Sequence, residues 1–257
     1  MSVLAYEVSD GVAYLTIQSP PANALSSTLL QDLEEKLQKV EADESVKAIV
    51  LKGEGRFFSA GADIKEFTSF QNSSDSKNLA QKGQQLFNKI EHFPIPVIAA
   101  IHGAALGGGL ELAMSCHIRI VTKTAKLGLP ELTLGIIPGF AGTQRLPQHV
   151  GNAKAYEMIL SGDPISGEEA YHFGLANKVV EDEELEKETT KLAEKIAQKS
   201  KPSIQYVMSL VPYAKTELFD RGLEAEAKAF KEVFNSHDAR EGIQAFLEKR
   251  KPNFTDK

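Results

Sequence analysis

The feature that most limits the possible folds is the alternation of apolar strand segments with helical segments over the first two thirds of the chain. Residues 46–53 (VKAIVLKG), 95–103 (IPVIAAIHG) and 117–122 (HIRIVT) are short, nearly continuous apolar runs. Such runs are typical of strands that are buried on both faces of a sheet. The leucines of residues 28–43 fall at helical spacing, as do the apolar residues of 77–92. This order predicts an α/β fold with helices packed on sheets.

Local signals add detail to this prediction. Residues 6–18 alternate and contain β-branched side chains, which predicts two strands joined by a hairpin near Asp10-Gly11. Ser26 or Ser27 is the predicted N-cap of the first helix. Residues 69–77 (SFQNSSDSK) are polar, which predicts a surface loop.

From about residue 181 the pattern changes, and helical segments follow one another with no strand between them. A helical part of roughly 60–75 residues at the end of an α/β chain either covers the core or builds a subunit interface. The four predicted helical segments are 180–200, 202–215, 217–236 and 238–250.

Composition narrows the class of protein. The 257 residues are 42% hydrophobic, enough for one large domain with its own core, and the net charge of -6 argues against a nucleic-acid binder. The single cysteine, Cys116, excludes an internal disulfide and fits a reducing compartment. The N-terminus lacks the features of a signal peptide, and no window approaches the roughly 18 apolar residues of a membrane span. We therefore expect a cytoplasmic protein.

Residues 59–67 (SAGADIKEF) are the first segment that can carry chemistry. A glycine turn between a strand and a helix leaves backbone N–H groups, such as that of Ala62, without helical partners. Such donors suit an oxyanion or a phosphate. The alternative is a tight structural turn in which Asp63 stabilises a helix N-terminus.

Residues 102–113 (HGAALGGGLELA) are the second. Each glycine costs about 1 kcal/mol in a helix, so three at a helix start need a reason. They would let a ligand approach the backbone, whose N–H groups suit an oxygen that becomes negative during reaction. Glu111 follows Gly108 by three residues, which places its carboxylate near the same helix start. The alternative is close helix–sheet packing, with Glu111 as a partner of the helix dipole.

Residues 129–146 (LPELTLGIIPGFAGTQRL) are the third. Glu131 stands between a proline and an apolar run, where burial would raise the pKa of its carboxyl. This suits an acid/base role, or a structural ion pair with Arg145. Two glutamates beside two clusters of backbone donors together indicate general acid–base chemistry next to a stabilised enolate.

These three motifs, in this order, resemble the enoyl-CoA hydratase/isomerase (crotonase) family, and the similarity runs from about residue 4 to the C-terminus. Within the family it is closest to the short-chain enoyl-CoA hydratases of fatty-acid β-oxidation. The resemblance implies a spiral of repeated ββα units over residues 1–190. It also implies a helical region over 191–257 that serves trimerisation and covers the pocket, in a homotrimer or a hexamer of two trimers.

The activity implied is the addition of water across the 2,3 double bond of a trans-2-enoyl-CoA to give a 3-hydroxyacyl-CoA. By resemblance, the N–H groups of Ala62 and Gly108 form the oxyanion hole. Glu111 activates the water, Glu131 supplies the proton to Cα, and Gly139 lines the acyl end. Alternatives within the family are methylglutaconyl-CoA hydration, enoyl-CoA isomerisation, and acyl-CoA hydrolysis or decarboxylation. A non-enzymatic member that binds CoA or RNA is a third class.

The resemblance also assigns the coenzyme A half of the substrate. Residues 59–65 would touch the adenine through their backbone, Lys65 and Lys251 would meet phosphate oxygens, and Phe254 would pack near the substrate. The alternative for Lys251 is an exposed basic helix end. The full set of predicted substrate-binding residues is Ala60, Gly61, Asp63, Ile64, Lys65, Gly139, Lys251 and Phe254.

Some residues depart from the family pattern or carry no predicted chemistry. Phe140 and Ala141 stand where many members have small residues or glycine, so Phe140 is expected to narrow or reshape the pocket. Residues 20–27 (PPANALSS) lack the basic residue that often precedes this turn. His117 stands where aspartate is common and is expected to be structural. No metal-ligand spacing is present, so neither a metal nor a cofactor is expected, coenzyme A being part of the substrate.

Overall fold

The computed structural model describes residues 2–63, 66, 73–214, 230 and 236–256. Its strands are β1 (Leu4–Ser9), β2 (Val12–Ile17), β3 (Ala48–Gly53), β4 (Val97–Ile101), β5 (Ala104–Leu106), β6 (Ile118–Thr122), β7 (Lys126–Gly128), β8 (Ile165–Ser166) and β9 (Lys178–Val180). Its α-helices are α1 (Ser27–Ala42), α2 (Ser73–Glu91), α3 (Gly108–Ser115), α4 (Gly142–Ser161), α5 (Gly167–His172), α6 (Leu185–Ala197), α7 (Lys201–Leu210) and α8 (His237–Leu247).

Six strands form the main sheet in the order β1-β2-β3-β4-β6-β9. The first pair is antiparallel with Leu4 opposite Ile17, and every later pair is parallel. The predicted hairpin is confirmed, since Asp10 and Gly11 have φ values of 51° and 75°. Two positive φ values are the signature of the turn that matches the twist of an antiparallel pair.

A second, small sheet has the order β5-β7-β8, with β5 and β7 parallel and β7 and β8 antiparallel. The chain enters it directly from the main sheet, because β5 begins three residues after β4 ends. This step between sheets delivers the chain to the glycine run at the start of α3.

Helices cover both faces of the main sheet, which explains the continuous apolar strands. On one face, the side chains of Leu15, Ile49 and Ile101 join the core formed with α1 and α2. On the other, alternate strand residues pack against α6. The α6 residues in that contact are Leu185, Ala193 and Ala197.

The helical C-terminal pattern is confirmed where the structure describes it, by α6, α7 and α8. The predicted helix over 217–236 lies almost wholly outside the described residues. The domain boundary placed at 190 falls inside α6, a helix that packs on the sheet, and the division into two regions stays a prediction. Over the described ranges, every helix is too short or too polar to cross a bilayer.

Ser26 is the N-cap of α1, and its hydroxyl accepts a hydrogen bond from Leu29 N at 3.2 Å. The loop predicted over 69–77 is wrong for residues 73–77, which belong to α2, while 69–72 lie outside the described residues. Serine and aspartate are poor inside helices but favoured at their N-termini, so a polar stretch there starts a helix as readily as it forms a loop.

Candidate active site

A cavity of about 660 Å³ collects residues from all three segments singled out in the sequence. One part of its wall comes from the turn after β3, a second from the start of α3, and a third from the stretch between β7 and α4. The predicted residues that line it are Ala60, Gly61, Ala62, Gly108, Glu111, Glu131, Gly139 and Phe140.

Backbone pairing joins the first segment to the second. Ser59 forms an isolated parallel bridge with Ala105 of β5, and Leu106 N donates to Ser59 O at 3.0 Å. Gly61 has a φ of 101°, and a Cβ at this position would lie 2.8 Å from Leu106 O. Only glycine fits there, because both the backbone angle and the available space exclude a side chain.

Two backbone donors border the cavity without partners in their own elements. Leu25 N donates to Gly61 O at 2.8 Å, and Asp63 N donates to Leu25 O at 3.3 Å. These two hydrogen bonds form a parallel bridge between Leu25 and Ala62. Because they use the carbonyl of Gly61 and the N–H of Asp63, the N–H of Ala62 itself points away from Leu25. Gly108 is the first residue of α3, and its N–H has no acceptor within the helix.

The three glycines before Glu111 have different physical reasons. Gly107 has a φ of 51°, and a Cβ there would lie 2.9 Å from the Glu131 Oε1 atom. At Gly108 a Cβ would meet two side chains at 3.2 Å, and at Gly109 it would lie 2.4 Å from Ser59 O. Both interpretations of the run therefore apply: Gly109 allows close packing, whereas Gly107 and Gly108 line the cavity.

Gly109→Ala is expected to lower the free energy of unfolding by about 1–3 kcal/mol, because the added methyl group overlaps the Ser59 carbonyl. Urea denaturation measures this loss. Gly242→Ala in α8 is the control, since its Cβ would meet Phe254 at an ordinary 3.4 Å and alanine is the better helix former. Equal stability of the two variants would contradict the packing role of Gly109.

Glu111 is buried, with 1% of its surface exposed. Its Oε1 atom accepts hydrogen bonds from Phe140 N at 2.8 Å and from Gly142 N at 2.6 Å, at the start of α4. Burial raises the pKa of this carboxyl to about 7, and the charge of Glu131 adds to the rise, whereas the two N–H donors and Arg145 oppose it. The group therefore exchanges a proton near neutral pH, as an acid–base catalyst must.

Glu131 opens the short 3-10 turn Glu131–Leu134 that follows β7. Its Oε1 atom lies against Gly107, and its buried Oε2 atom has no hydrogen-bond partner in the described part of the chain. Burial raises the pKa of this carboxyl as well. The Glu131 Oε2 atom has no hydrogen-bond donor that would favour the ionised form, whereas the Glu111 Oε1 atom has two.

The alternative in which Glu131 forms an ion pair with Arg145 is wrong. The Arg145 guanidinium instead contacts Glu91 at 2.8 Å and Asn88 at 2.6 Å in the last turns of α2. It also donates to Phe140 O at 2.9 Å. Arg145 therefore does not explain why Glu131 is half-buried, which favours the chemical interpretation.

Phe140 lines the cavity, as expected, and the residue is 5% exposed. The ring packs edge to face against Phe87, with centroids 5.4 Å apart. Gly139 lines the cavity beside it, and its carbonyl accepts a hydrogen bond from Gln84 Nε2 at 2.9 Å. Ala141 has a φ of 74°, in the left-handed region that favours the glycine expected there.

Of the remaining predicted substrate contacts, those that the structure describes do not line this cavity. Asp63 follows the lining segment without joining it, and Ile64 and Lys65 lie outside the described residues. Lys251 is exposed beyond α8, and Phe254 packs near Gly242 of that helix. The roles given to these residues stay predictions.

His117 has the structural role expected of it. Its Nδ1 atom accepts a hydrogen bond from Val97 N at 2.9 Å, and its Nε2 atom lies 3.3 Å from Glu91 O. Burial lowers the pKa of the ring to about 4, so the histidine is neutral at physiological pH. It does not line the cavity.

Sequence reasoning missed the apolar wall of the cavity. Leu134, Ile136 and Ile137 line it and are 57%, 42% and 71% exposed, unusually high for large aliphatic side chains. The signal was present as the apolar residues that follow Glu131 in a turn-rich stretch. Their exposure places an apolar surface beside the two carboxylates.

The structure is thus an α/β fold in which the carboxyls of two glutamates and two backbone N–H donors border one cavity. The family model for enoyl-CoA hydratase/isomerase matches residues 7–257. The chain belongs to the enoyl-CoA hydratase/isomerase family.

Curated relatives are similar to this chain over almost its full length. The chain is 58% identical to a protein described as "Probable enoyl-CoA hydratase" from Bacillus subtilis strain 168, covering 99% of both chains. It is 41% identical to the crotonyl-CoA hydratase of Syntrophomonas wolfei, covering 98% of this chain and 97% of the relative.

Solved structures agree on the architecture. An enoyl-CoA hydratase from Bacillus anthracis superposes with a TM-score of 0.94 at 36% identity, covering 99% of this chain and 100% of that one. Pseudomonas aeruginosa DspI superposes with a TM-score of 0.94 at 35% identity, covering 99% and 97%. The predicted crotonase-like α/β fold is confirmed.

Proposed function

We propose that this protein is an enoyl-CoA hydratase that adds water across the 2,3 double bond of a trans-2-enoyl-CoA to give a 3-hydroxyacyl-CoA. The observation that carries the proposal is the meeting of two carboxyls, the buried Glu111 and the half-buried Glu131, in one cavity with the backbone donors of Ala62 and Gly108. The names of three relatives support the same reaction, and the name of a fourth, a fatty acid beta-oxidation multifunctional protein of Arabidopsis thaliana, supports a place in fatty-acid β-oxidation.

Each group has one task in this reaction. The N–H groups of Ala62 and Gly108 hold the thioester carbonyl oxygen, which gains negative charge as water attacks Cβ. The Glu111 carboxylate takes a proton from the attacking water, and Glu131 gives a proton to Cα as the enolate collapses. Water thereby supplies the new hydroxyl, and the pair is reset when a proton returns from Glu111 to Glu131.

The acyl chain that fits best is apolar. Among the described residues that line the cavity there is no lysine, arginine or histidine, and the charged side chains are the two glutamates. A methylglutaconyl substrate carries its own carboxylate, which would be buried beside these glutamates without a cation, at a cost of several kcal/mol. Isomerisation, the other alternative, needs one carboxylate for many substrates, whereas two face this cavity.

The test is loss of the conjugated enoyl-thioester absorbance when the protein is mixed with crotonyl-CoA, with glutaconyl-CoA as the acidic counterpart. Fast loss with crotonyl-CoA and little with glutaconyl-CoA is expected. Binding of crotonyl-CoA without loss of absorbance would overturn the hydratase proposal in favour of another reaction of the family or a binding role. Preference for glutaconyl-CoA would contradict the proposal that the acyl chain of the substrate is apolar.

The rate should depend on pH around neutrality. Because burial and Glu131 raise the pKa of Glu111 to about 7, its carboxylate is lost as pH falls through that value. We expect kcat/KM for crotonyl-CoA to fall about tenfold per pH unit on the acid side of about pH 7. A profile measured from about pH 5 to about pH 9 checks this. An acid limb near the ordinary glutamate pKa would contradict it.

The remaining assignments follow from the family resemblance. Coenzyme A would be held by the backbone of 59–65, with Lys65 and Lys251 near its phosphates and Phe254 near the chain. The protein would act as a homotrimer or a hexamer in the cytoplasm, without a metal or a separate cofactor, and without nucleic-acid or membrane partners. Light scattering of the purified protein tests the assembly.

A further inference from the structure

We propose that Arg145 is a positioning residue for the hydration reaction, acting on Glu111 through the backbone of Phe140. The inference rests on the proposed function, since it concerns how Glu111 is held for that reaction. Arg145 is 4% exposed and does not line the cavity. Its effect on catalysis must therefore pass through other groups.

The Arg145 guanidinium links α2 to the segment of Phe140, which α2 also contacts through the hydrogen bond from Gln84 Nε2 to Gly139 O. On the α2 side, its Nε and Nη2 atoms donate to Glu91 Oε2 at 3.1 and 2.8 Å, and Nη2 donates to Asn88 Oδ1 at 2.6 Å. On the other side, Nη1 donates to Phe140 O at 2.9 Å. The planar fork of arginine fixes several such directions at once, which lysine cannot do.

Phe140 passes this restraint to the carboxylate. Its N–H donates to Glu111 Oε1, and its ring is fixed by the edge-to-face contact with Phe87. The second donor to Glu111, Gly142 N, lies just beyond Ala141, whose left-handed φ of 74° is strained for a residue with a side chain. A strained turn that holds two donors needs an external restraint, and the Arg145 contact to Phe140 O provides one.

Charge adds a second effect. The charged groups that act on Glu111 are Glu131, which raises its pKa, and Arg145, which lowers it, in addition to the dominant effect of burial. Glu91 pairs with Arg145, but its side chain is 40% exposed, so solvent screens it more than the buried guanidinium. Arg145 thus favours the ionised Glu111 that activates water.

The test compares kcat, KM and the pH profile of crotonyl-CoA hydration in wild type, Arg145→Gln and Arg145→Lys. Arg145→Gln should lower kcat about 100-fold with little change in KM, because Glu111 loses its fixed position. The acid limb of the pH profile of Arg145→Gln should move to higher pH, because the positive charge that lowered the pKa of Glu111 is gone. Arg145→Lys should return the acid limb of the pH profile to its wild-type position, because lysine keeps the positive charge. It should not restore kcat, because lysine lacks the planar set of donors that arginine has.

Arg119→Gln is the matched control. Arg119 is also 4% exposed, and within the described part of the chain its guanidinium donates to backbone carbonyls, those of Cys116, Leu175 and Ala113. Its loss should lower Tm while leaving the acid limb in place. If Arg119→Gln and Arg145→Gln shift the limb and kcat alike, Arg145 is merely structural and the proposal fails.

A double variant tests whether the effect of Arg145 on the rate passes through Glu111. In a Glu111→Gln background, Arg145→Gln should lower the residual rate little, because its effect passes through Glu111, and full additivity would overturn the proposal. Should Arg145→Gln not fold, Arg145→Lys decides: a kcat lower by about tenfold or more at unchanged KM supports the positioning role, and a wild-type kcat overturns it. The wild-type rate itself reports separately on the proposed function.

Discussion

Replacing Glu131 by glutamine is expected to lower kcat for crotonyl-CoA hydration by about 10³-fold, within the range that a general acid contributes. The amide has the shape of the carboxyl but no proton to give to Cα. Because the Glu131 Oε2 atom has no partner within the described residues, the exchange breaks no hydrogen bond there. KM and Tm should therefore stay close to those of wild type.

The measurement is the decay of enoyl-thioester absorbance in wild type and Glu131→Gln under the same conditions. Glu157→Gln is the control, a glutamate on α4 that is 65% exposed and paired with Lys154, and it should hydrate as fast as wild type. Activity that survives in Glu131→Gln would break the two-carboxylate mechanism. Loss of activity together with a large drop in Tm would point to a structural role for Glu131.

Replacing Gly108 by proline is also expected to lower the rate of hydration strongly. Proline is well tolerated at the first position of a helix, which Gly108 occupies in α3, but it removes the N–H proposed to hold the thioester oxygen. Loss of one oxyanion donor costs about 10²–10³ in kcat. We expect a loss of this size from Gly108→Pro.

Gly108→Ala separates the effect of losing the N–H donor from the effect of adding side-chain atoms at this position. It keeps the N–H and adds a Cβ that meets Leu25 and Phe140 side-chain atoms at 3.2 Å, a tight contact that both variants share. The kcat ratio of the two variants, with Tm measured for each, isolates the loss of the donor. Equal rates in the alanine and proline variants would show that the Gly108 N–H does not hold the oxyanion.

The sequence alone was sufficient for the order of the elements from β1 to β4, for α3 and β6, and for singling out the two carboxyls, whereas the short strands β5, β7, β8 and β9 and the helices α4 and α5 were not predicted. Apolar runs such as 95–103 have one stable solution in water, a strand covered on both faces, so their number and order predict a layered α/β fold. Glu131 stood out because proline and an apolar run are unusual neighbours for a charge. Glu111 stood out because three glycines preceded it at a helix start.

Tertiary structure decided what could not be read from spacing along the chain. Whether Glu131 pairs with Arg145 depends on where α2 places Glu91 and Asn88, more than fifty positions away in sequence, and local pattern carries no such information. The polar residues 73–77 could start a helix or form a loop, because the same side chains favour both.

The cavity shows most clearly what only the tertiary structure decides. Ala62 and Gly108 lie 46 positions apart in the sequence, and they border one space because Ser59 pairs with Ala105 across two segments. Motifs identified the donors and acids separately, since each depends on local residue types. Their meeting depends on long-range backbone pairing and on packing around Phe140, which only the folded chain determines.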